Sequence, residues 1–363
     1  HRNVARLLEG SQVRHVLWTG GGSRSRRAEL RLAAEQGRLD LVVATQAVLE
    51  EDVLFARLGL VIIDEQHRFG VRQRSVLREK GTAPHYLIMT ATPIPRTLAM
   101  TLYGDLDIST IDAMPPGRAA VRTRVIGPSQ AEHAWRFVRS RLDAGEQAYV
   151  VYPLVEATEA KPLKAATEEA ERLSREVFPD RRVALLHGQM RPEEKDAVMR
   201  SFVAGEVDVL VATTVIEVGI DVPNATVMVV QHAERYGLAQ LHQLRGRVGR
   251  GGRPGYCYLM TDDERAVRTA RLDVLTKTND GFKIGEEDLK LRGPGELLGT
   301  RQHGLPALRC ADLTRDLDLL RQAQQDAADI LRGDPVLGSP DWRALKTAVA
   351  GRFGGRMQFL DVG

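Results

Sequence analysis

Short runs of nearly continuous Val, Ile and Leu, separated by stretches with helical spacing, constrain this 363-residue chain more than any other feature. Val13–Trp18, Leu41–Thr45, Leu60–Asp64 and His85–Thr90 form a first series. Ala148–Leu154, Val183–His187, Asp208–Thr213, Thr226–Gln231 and Tyr256–Met260 form a second. A strand with one wet face alternates apolar and polar residues. A run without that alternation reads as a strand buried on both faces, as in a parallel sheet flanked by helices. Residues 24–36, 71–79 and 96–103 read as crossover helices between the first strands. In the second series Pro192 suits a first helical turn, Val198 and Phe202 share a face, and Gly205 follows as a stop. The expected fold class is α/β, with two parallel-sheet lobes.

Between the series, the turn-rich segment 113–117 is followed by Val121–Ile126, which reads as an extended connector. From about Asp262 the strand rhythm stops and the spacing is mostly helical, with a Gly-rich stretch at Leu291–Gly304. The predicted organisation is a first lobe at 1–127, a second at 128–261, a helical appendage at 262–335 and a tail at 336–363. His1 opens a segment that reads as the end of a helix, so the sequence is expected to be a fragment.

Composition narrows the partners only slightly. Lys and Arg number 51 against 48 Asp and Glu, a net charge of +3 that permits a polyanionic partner without demanding one. No apolar run reaches the roughly 18–20 residues of a membrane-spanning helix. Cys257 and Cys310 are far apart and match no metal spacing, and Cys257, between tyrosines, reads as strand packing. These features suit a reducing cytoplasm and no membrane partner.

The chemistry sits at strand ends. Leu60–Ile63 runs into Asp64 and Glu65, placing two acids at the carboxyl edge of a parallel sheet, where ligands of such sheets bind. There the first acid can hold Mg²⁺ and the second can orient an attacking water. Taken alone, the pair is also what a polar strand exit looks like. Gln66 and His67 complete the rarer word Asp-Glu-Gln-His. Thr90-Ala91-Thr92, at the end of the next strand, sets hydroxyls beside the acids or simply closes a strand before Pro93. In the second series Gln243-Leu244-Arg245-Gly246-Arg247-Val248-Gly249-Arg250 spells Gln-x-x-Gly-Arg-x-x-Arg. Arginines at Arg245, Arg247, Arg250 and Arg253, spaced by glycines with no acid among them, fit a solvated face badly. They fit a group that neutralises charge on a transferred phosphoryl.

Taken in order, these words resemble a superfamily 2 helicase motor, and Asp64–Gly70 narrows the resemblance to the RecG and Mfd branch. Arg292-Gly293-Pro294-Gly295-Glu296, with Arg301 and Gln302, is similar to the translocation hairpin of the RecG family. The resemblance covers residues 1–335 and implies two RecA-like lobes, ATP and Mg²⁺ as cofactors, and branched double-stranded DNA, forks and Holliday junctions as substrate. It implies a monomeric helicase that regresses forks and branch-migrates junctions in repair and recombination. By resemblance, Asp64, Glu65, Gln243, Arg247 and Arg250 are catalytic, with Asp64 at the metal. His67, Thr90, Ala91 and Thr92 couple nucleotide state to strand contact. Gly219 and Asp221 lie at the nucleotide, and Thr45, Gln46, His187 and Gly188 contact DNA. In the hairpin, the family's Arg-Gln-Ser-Gly reads Arg301-Gln302-His303-Gly304. From 262 to 309, nine basic residues face nine acidic ones, so DNA contact there must come from placement.

The phosphate loop Gly-x-x-x-x-Gly-Lys-Ser/Thr does not occur; Thr19-Gly20-Gly21-Gly22-Ser23 has no lysine. The loop, a first strand and helix, and an OB-fold wedge are expected before His1. Without the loop, this chain alone is expected to bind ATP weakly and turn it over little. Two alternatives remain at this point: an Mfd-like translocase, which Arg292–Glu296 argues against, and a non-catalytic DNA-binding remnant.

Overall fold

The computed structural model describes residues 1–21, 23–50, 52–65, 80, 84–91, 107–111, 113, 119–153, 160–213, 221–265, 267, 269–292 and 316–353. The helices expected at 71–79 and 96–103 lie outside them. The chain divides into two compact units, His1–Ala91 with Leu337–Gly363, and Thr92–Val336.

In the first unit, β1 (His15–Trp18) pairs in parallel with β2 (Leu41–Ala44), and β3 (Leu60–Ile63) with β4 (His85–Ile88). Helix α1 spans Arg2–Leu7 and α2 spans Arg24–Glu35. Ser23 caps α2 by accepting from the Arg26 amide, which satisfies one of the donors a helix start leaves open. Trp18, Leu30, Ala34 and Val53 form a small core. The buried Lys80 ammonium donates to the carbonyls of Glu50 and Val53, at 2.5 and 2.7 Å.

The expectation of burial on both faces fails here. Val61 and Ile63 are buried, whereas Leu60 and Ile62 are each 54% exposed and Leu87 is 48% exposed. Each sheet has two strands among the described residues, and β3 has one covered face despite its unbroken apolar run.

The second unit meets the expectation. Its sheet has six parallel strands in the order β5 (Val121–Ile126), β10 (Gly255–Met260), β9 (Ala225–Val230), β6 (Gln147–Tyr152), β8 (Val209–Thr213), β7 (Val183–Leu186). Every residue of β6, β8 and β9 is buried. Alternation divides them between two cores. Tyr149, Val151, Leu210, Ala212, Met228 and Val230 face one side, and Ala148, Val150, Val209, Val211, Val227 and Val229 the other. On the first side lie α6 (Leu238–Arg245), through Leu238, Leu241 and Leu244, and α7 (Ala270–Lys277), through Leu272 and Leu275. On the second, α3 (Ala131–Asp143) buries Ala134, Val138 and Leu142.

Helix α4 spans Ala160–Arg172. Helix α5 (Pro192–Val203) begins and ends as its residues dictate. Pro192 opens it, Glu194 accepts from the Arg191 amide, Phe202 is buried, and Gly205 leaves it with φ +77°. Cys257 is buried in β10, and burial pushes its thiol up to about 12, Arg245 opposing. Helices α8 (Gly281–Arg292), α9 (Leu317–Gly333) and α10 (Arg343–Phe353) complete the described elements. Among the described residues, no helix is long and apolar enough to cross a membrane.

One reading is corrected. Val121–Ile126 is no connector but the edge strand β5, with Val121 opposite Gly255 and Ile126 opposite Met260. Its Arg122 and Arg124 suit a strand with one unpaired edge, where charge discourages further pairing.

At the amino edge of this sheet, Glu146 is 5% exposed. It accepts from Arg141 Nε at 2.8 Å, from a second Arg141 nitrogen and from the Thr226 hydroxyl. Burial raises its pKa, but the bonds from Arg141 and Thr226 outweigh it and hold the carboxyl below its ordinary value. A carboxyl depressed on folding contributes stability above its unfolded pKa and loses it as pH falls through the folded value. Glu146→Gln should therefore destabilise the unit by about 3 kcal/mol at pH 7. It should also flatten the acid limb of a urea-denaturation series run from pH 7 to pH 3.

Candidate functional site

In the first unit, the expected acid pair sits at the carboxyl end of β3. Asp64 is exposed and Glu65 half-buried. Glu65 adopts φ +53°, a left-handed conformation costing a non-glycine residue about 1 kcal/mol or more, and its amide donates to Asp64 Oδ1 at 3.0 Å. This bond ties the Asp64 carboxylate to the strand exit. On the neighbouring strand the Met89 amide donates to the Ile63 carbonyl at 2.8 Å, so Thr90 and Ala91 emerge beside the acids. Thr45 and Gln46 are exposed at the end of β2, where the Thr45 amide bonds the Trp18 carbonyl at 3.1 Å. His67 and Thr92 lie outside the described residues.

The second unit carries the arginine word on α6 and the turn after it. Its four arginines separate into different roles. Arg245 is 3% exposed and donates to the carbonyls of Leu275 and Thr278 at 2.9 and 2.8 Å. It also meets His242 Nδ1 at 2.9 Å, which makes that ring nitrogen the acceptor. Burial lowers its pKa. Arg245 thus clamps α6 to the last turn of α7, where helix carbonyls favour a cation. Arg253 binds the Asn224 side-chain oxygen at 3.0 Å.

Arg247 and Arg250 lie beyond α6, in the turn that follows Gly246. Arg250 donates through Nε to the Gly246 carbonyl at 2.9 Å, and its Nη1 lies 3.8 Å from Asp221 Oδ1. Asp221 and Arg250 thus form one long, solvent-exposed ion pair. The turn needs its glycines. Gly249 has φ +76° and packs against the Gly255 backbone, while a Cβ on Gly251 would stand 2.4 Å from the Pro223 carbonyl oxygen. Beneath the turn, burial pushes the Tyr149 phenol above its ordinary range, with Arg247 and Arg250 pulling the other way and Asp221 adding to the rise. Tyr149 is a neighbour the sequence reading missed; its inward position on a buried strand was the available signal. Gln243 is half-buried on α6.

At the end of β7, the Met190 amide closes a turn on the His187 carbonyl at 3.3 Å. The exposed Gly188 offers its carbonyl to Lys195 at 2.5 Å. Arg292 is the last residue of α8. Gly219, Gly293, Gly295, Glu296, Arg301 and Gln302 lie outside the described residues.

Comparison with known proteins follows this layout. Residues 1–101 match the DEAD/DEAH box helicase model, 134–252 the helicase conserved C-terminal domain, and 278–350 the C-terminal part of domain 3 of the ATP-dependent DNA helicase RecG. The ATP-dependent DNA helicase RecG of Thermotoga maritima is 48% identical over 330 residues, covering 91% of this chain and 42% of that protein. The same-named protein of Aquifex aeolicus is 49% identical over 366 residues, covering 99% and 46%. The chain spans less than half the length of either relative. A solved structure of RecG bound to a three-way DNA junction matches with TM-score 0.68 and 47% identity, over 88% of this chain and 41% of that one. The helicase Lhr of Mycobacterium smegmatis, bound to single-stranded DNA and AMP-PNP, matches with TM-score 0.56 at 18% identity, a likeness of fold.

The split among the arginines has a measurable consequence. Arg245→Met leaves two carbonyls and an imidazole nitrogen unsatisfied and should cost about 2–3 kcal/mol in chemical denaturation. Arg250→Ala, at an exposed and long ion pair, should stay within about 0.5 kcal/mol. Equal losses would show that the arginines do not divide this way.

Proposed function

The chain belongs to the RecG family of superfamily 2 helicases, and on that premise we propose that it supplies motor lobes that couple ATP hydrolysis to translocation on branched DNA. The reading extends to regression of forks and branch migration of junctions, in the cytoplasm. The observation that carries it is the arginine turn. Arg247 and Arg250 are held on a glycine-buttressed bend over Tyr149, with Asp221 at 3.8 Å and no nearer acid described for Arg250. A guanidinium so placed is available to charge that develops on a transferred phosphoryl. The match of residues 278–350 favours this over the Mfd-type alternative.

In hydrolysis, water attacks the γ-phosphorus and the β–γ bridging oxygen leaves. Glu65, positioned off the end of β3, orients that water and accepts its proton. Asp64, an exposed carboxylate at the same strand end, would hold a Mg²⁺ that would supply charge neutralisation to the nucleotide. Gln243 and Asp221 hold the arginine turn and nucleotide in register, with Gly219 assigned to the same pocket by family. Thr90, Ala91, Thr92 and His67 transmit nucleotide state. Thr45, Gln46 and Gly188, exposed at strand ends, meet DNA phosphates together with the half-buried His187. By family, Arg292, Gly293, Gly295, Glu296, Arg301 and Gln302 are assigned to translocation along the duplex.

ATP turnover is measured with a three-way junction in the full gene product. Glu65→Gln should lower kcat at least about 100-fold while nucleotide binding persists. Arg247→Ala or Arg250→Ala should lower kcat about 10³-fold with KM little changed. Wild-type kcat in all three variants would overturn the assignment. The 363-residue chain contains no phosphate-loop word, so by itself it should turn over ATP little; a helicase-like rate would refute that.

A further inference from the structure

The carboxyl ends of β9 and β10 bring together three side chains that the motor reading does not use. His232 and Glu234 follow β9, and Asp262 follows β10. One potential ligand atom from each lies within 4.8 Å of the others. Ligands of a divalent ion bound at about 2.0–2.2 Å stand roughly 3–4 Å apart, so small side-chain adjustments close the set. We propose that His232, Glu234 and Asp262 form a site for a divalent transition-metal ion of the Zn²⁺ type.

Two further observations support it. His232 holds φ +51°, a left-handed conformation that a non-glycine residue rarely takes, and its Nδ1 already meets Asp262 Oδ2 at 2.7 Å. Two of the three ligands are thus preorganised. The Oε2 atom of Glu234 is buried and has no hydrogen-bond partner among the described residues. A desolvated carboxylate oxygen without a donor is costly, and a bound cation satisfies it.

The nearby cation does not fill the role. Arg235 stands 3.9 Å from Glu234 Oε1 and 3.6 Å from Asp262 Oδ2, beyond hydrogen-bond range of both. Arg271 donates to the Glu234 backbone carbonyl at 3.2 Å. The two carboxylates among the three ligand groups match the charge of a divalent ion. One imidazole with two carboxylates suits Zn²⁺ or its neighbours, whereas Mg²⁺ prefers all-oxygen octahedra. The ion would pin the exits of two adjacent strands.

The test needs no ATPase. The chain is stripped with a chelator and desalted, and Zn²⁺ is titrated in competition with a chromophoric chelator. One Zn²⁺ should bind per chain, raise the thermal midpoint, and resist a hundredfold excess of Mg²⁺. His232→Ala, Glu234→Gln and Asp262→Asn should each weaken it at least about 10-fold. His232→Cys supplies a thiolate in place of the imidazole. It should retain the ion and give bound Co²⁺ a thiolate charge-transfer band, which a variant that had merely lost its fold would not show. No saturable binding, or binding that survives all three weakening substitutions, overturns the proposal.

Discussion

The second unit depends on one constraint: a six-stranded parallel sheet must be covered on both faces. Parallel strands all end at the same edge, so covering the faces leaves that edge as the place where chain exits collect. The alternation of Tyr149, Val151, Met228 and Val230 against Ala148, Val150, Val227 and Val229 fixes which helices lie on which side. Packing of Leu238, Leu241 and Leu244 then sets the rotation of α6. That rotation decides the fate of each arginine after it. Arg245 falls four residues beyond Leu241, on the buried face, and is desolvated there. The residues past Gly246 have left the helix and turn back over Tyr149.

Much of this was legible in the sequence. The strand runs of the second unit, the limits of α5 and the position of Asp64 and Glu65 at a strand end all follow from apolar runs and stop residues. The roles of the individual arginines did not. A basic cluster announces charge, but not which guanidinium is stripped of water. The spacing 238, 241, 245 held that information, since 3.6-residue periodicity places position 245 with the leucines. Tyr149 was hidden differently: in a fully buried strand every side chain looks like packing, and the charge above it belongs to a segment nearly a hundred residues later.

The first unit shows the limit of reading apolarity. Leu60-Val61-Ile62-Ile63 carries no polar interruption, yet Leu60 and Ile62 stand more than half exposed. An apolar run tells what a strand tolerates on each face; what covers the face is set by neighbours elsewhere in the chain. The opposite error occurred at β5. Val121–Ile126, following a turn-rich segment, read as a connector, whereas an edge strand accommodates Arg122 and Arg124 and still pairs along its length with β10.

The two units share a device at their strand exits. Glu65 stands two residues beyond Ile63, and His232 two beyond Val230; both are non-glycine residues in the left-handed region. A left-handed residue there bends the chain sharply, so the side chains at the exit stay at the sheet's edge. Glycine would adopt that conformation without strain. At these two positions the chain instead keeps a carboxylate and an imidazole, groups with nothing to add to a turn. Leu337 takes the same conformation with an apolar side chain, so what distinguishes these two positions is their place at a strand exit beside other polar groups. That place sets the two exits apart from Gly205, Gly249 and Gly252, where positive φ was met with glycine and no side-chain chemistry was retained.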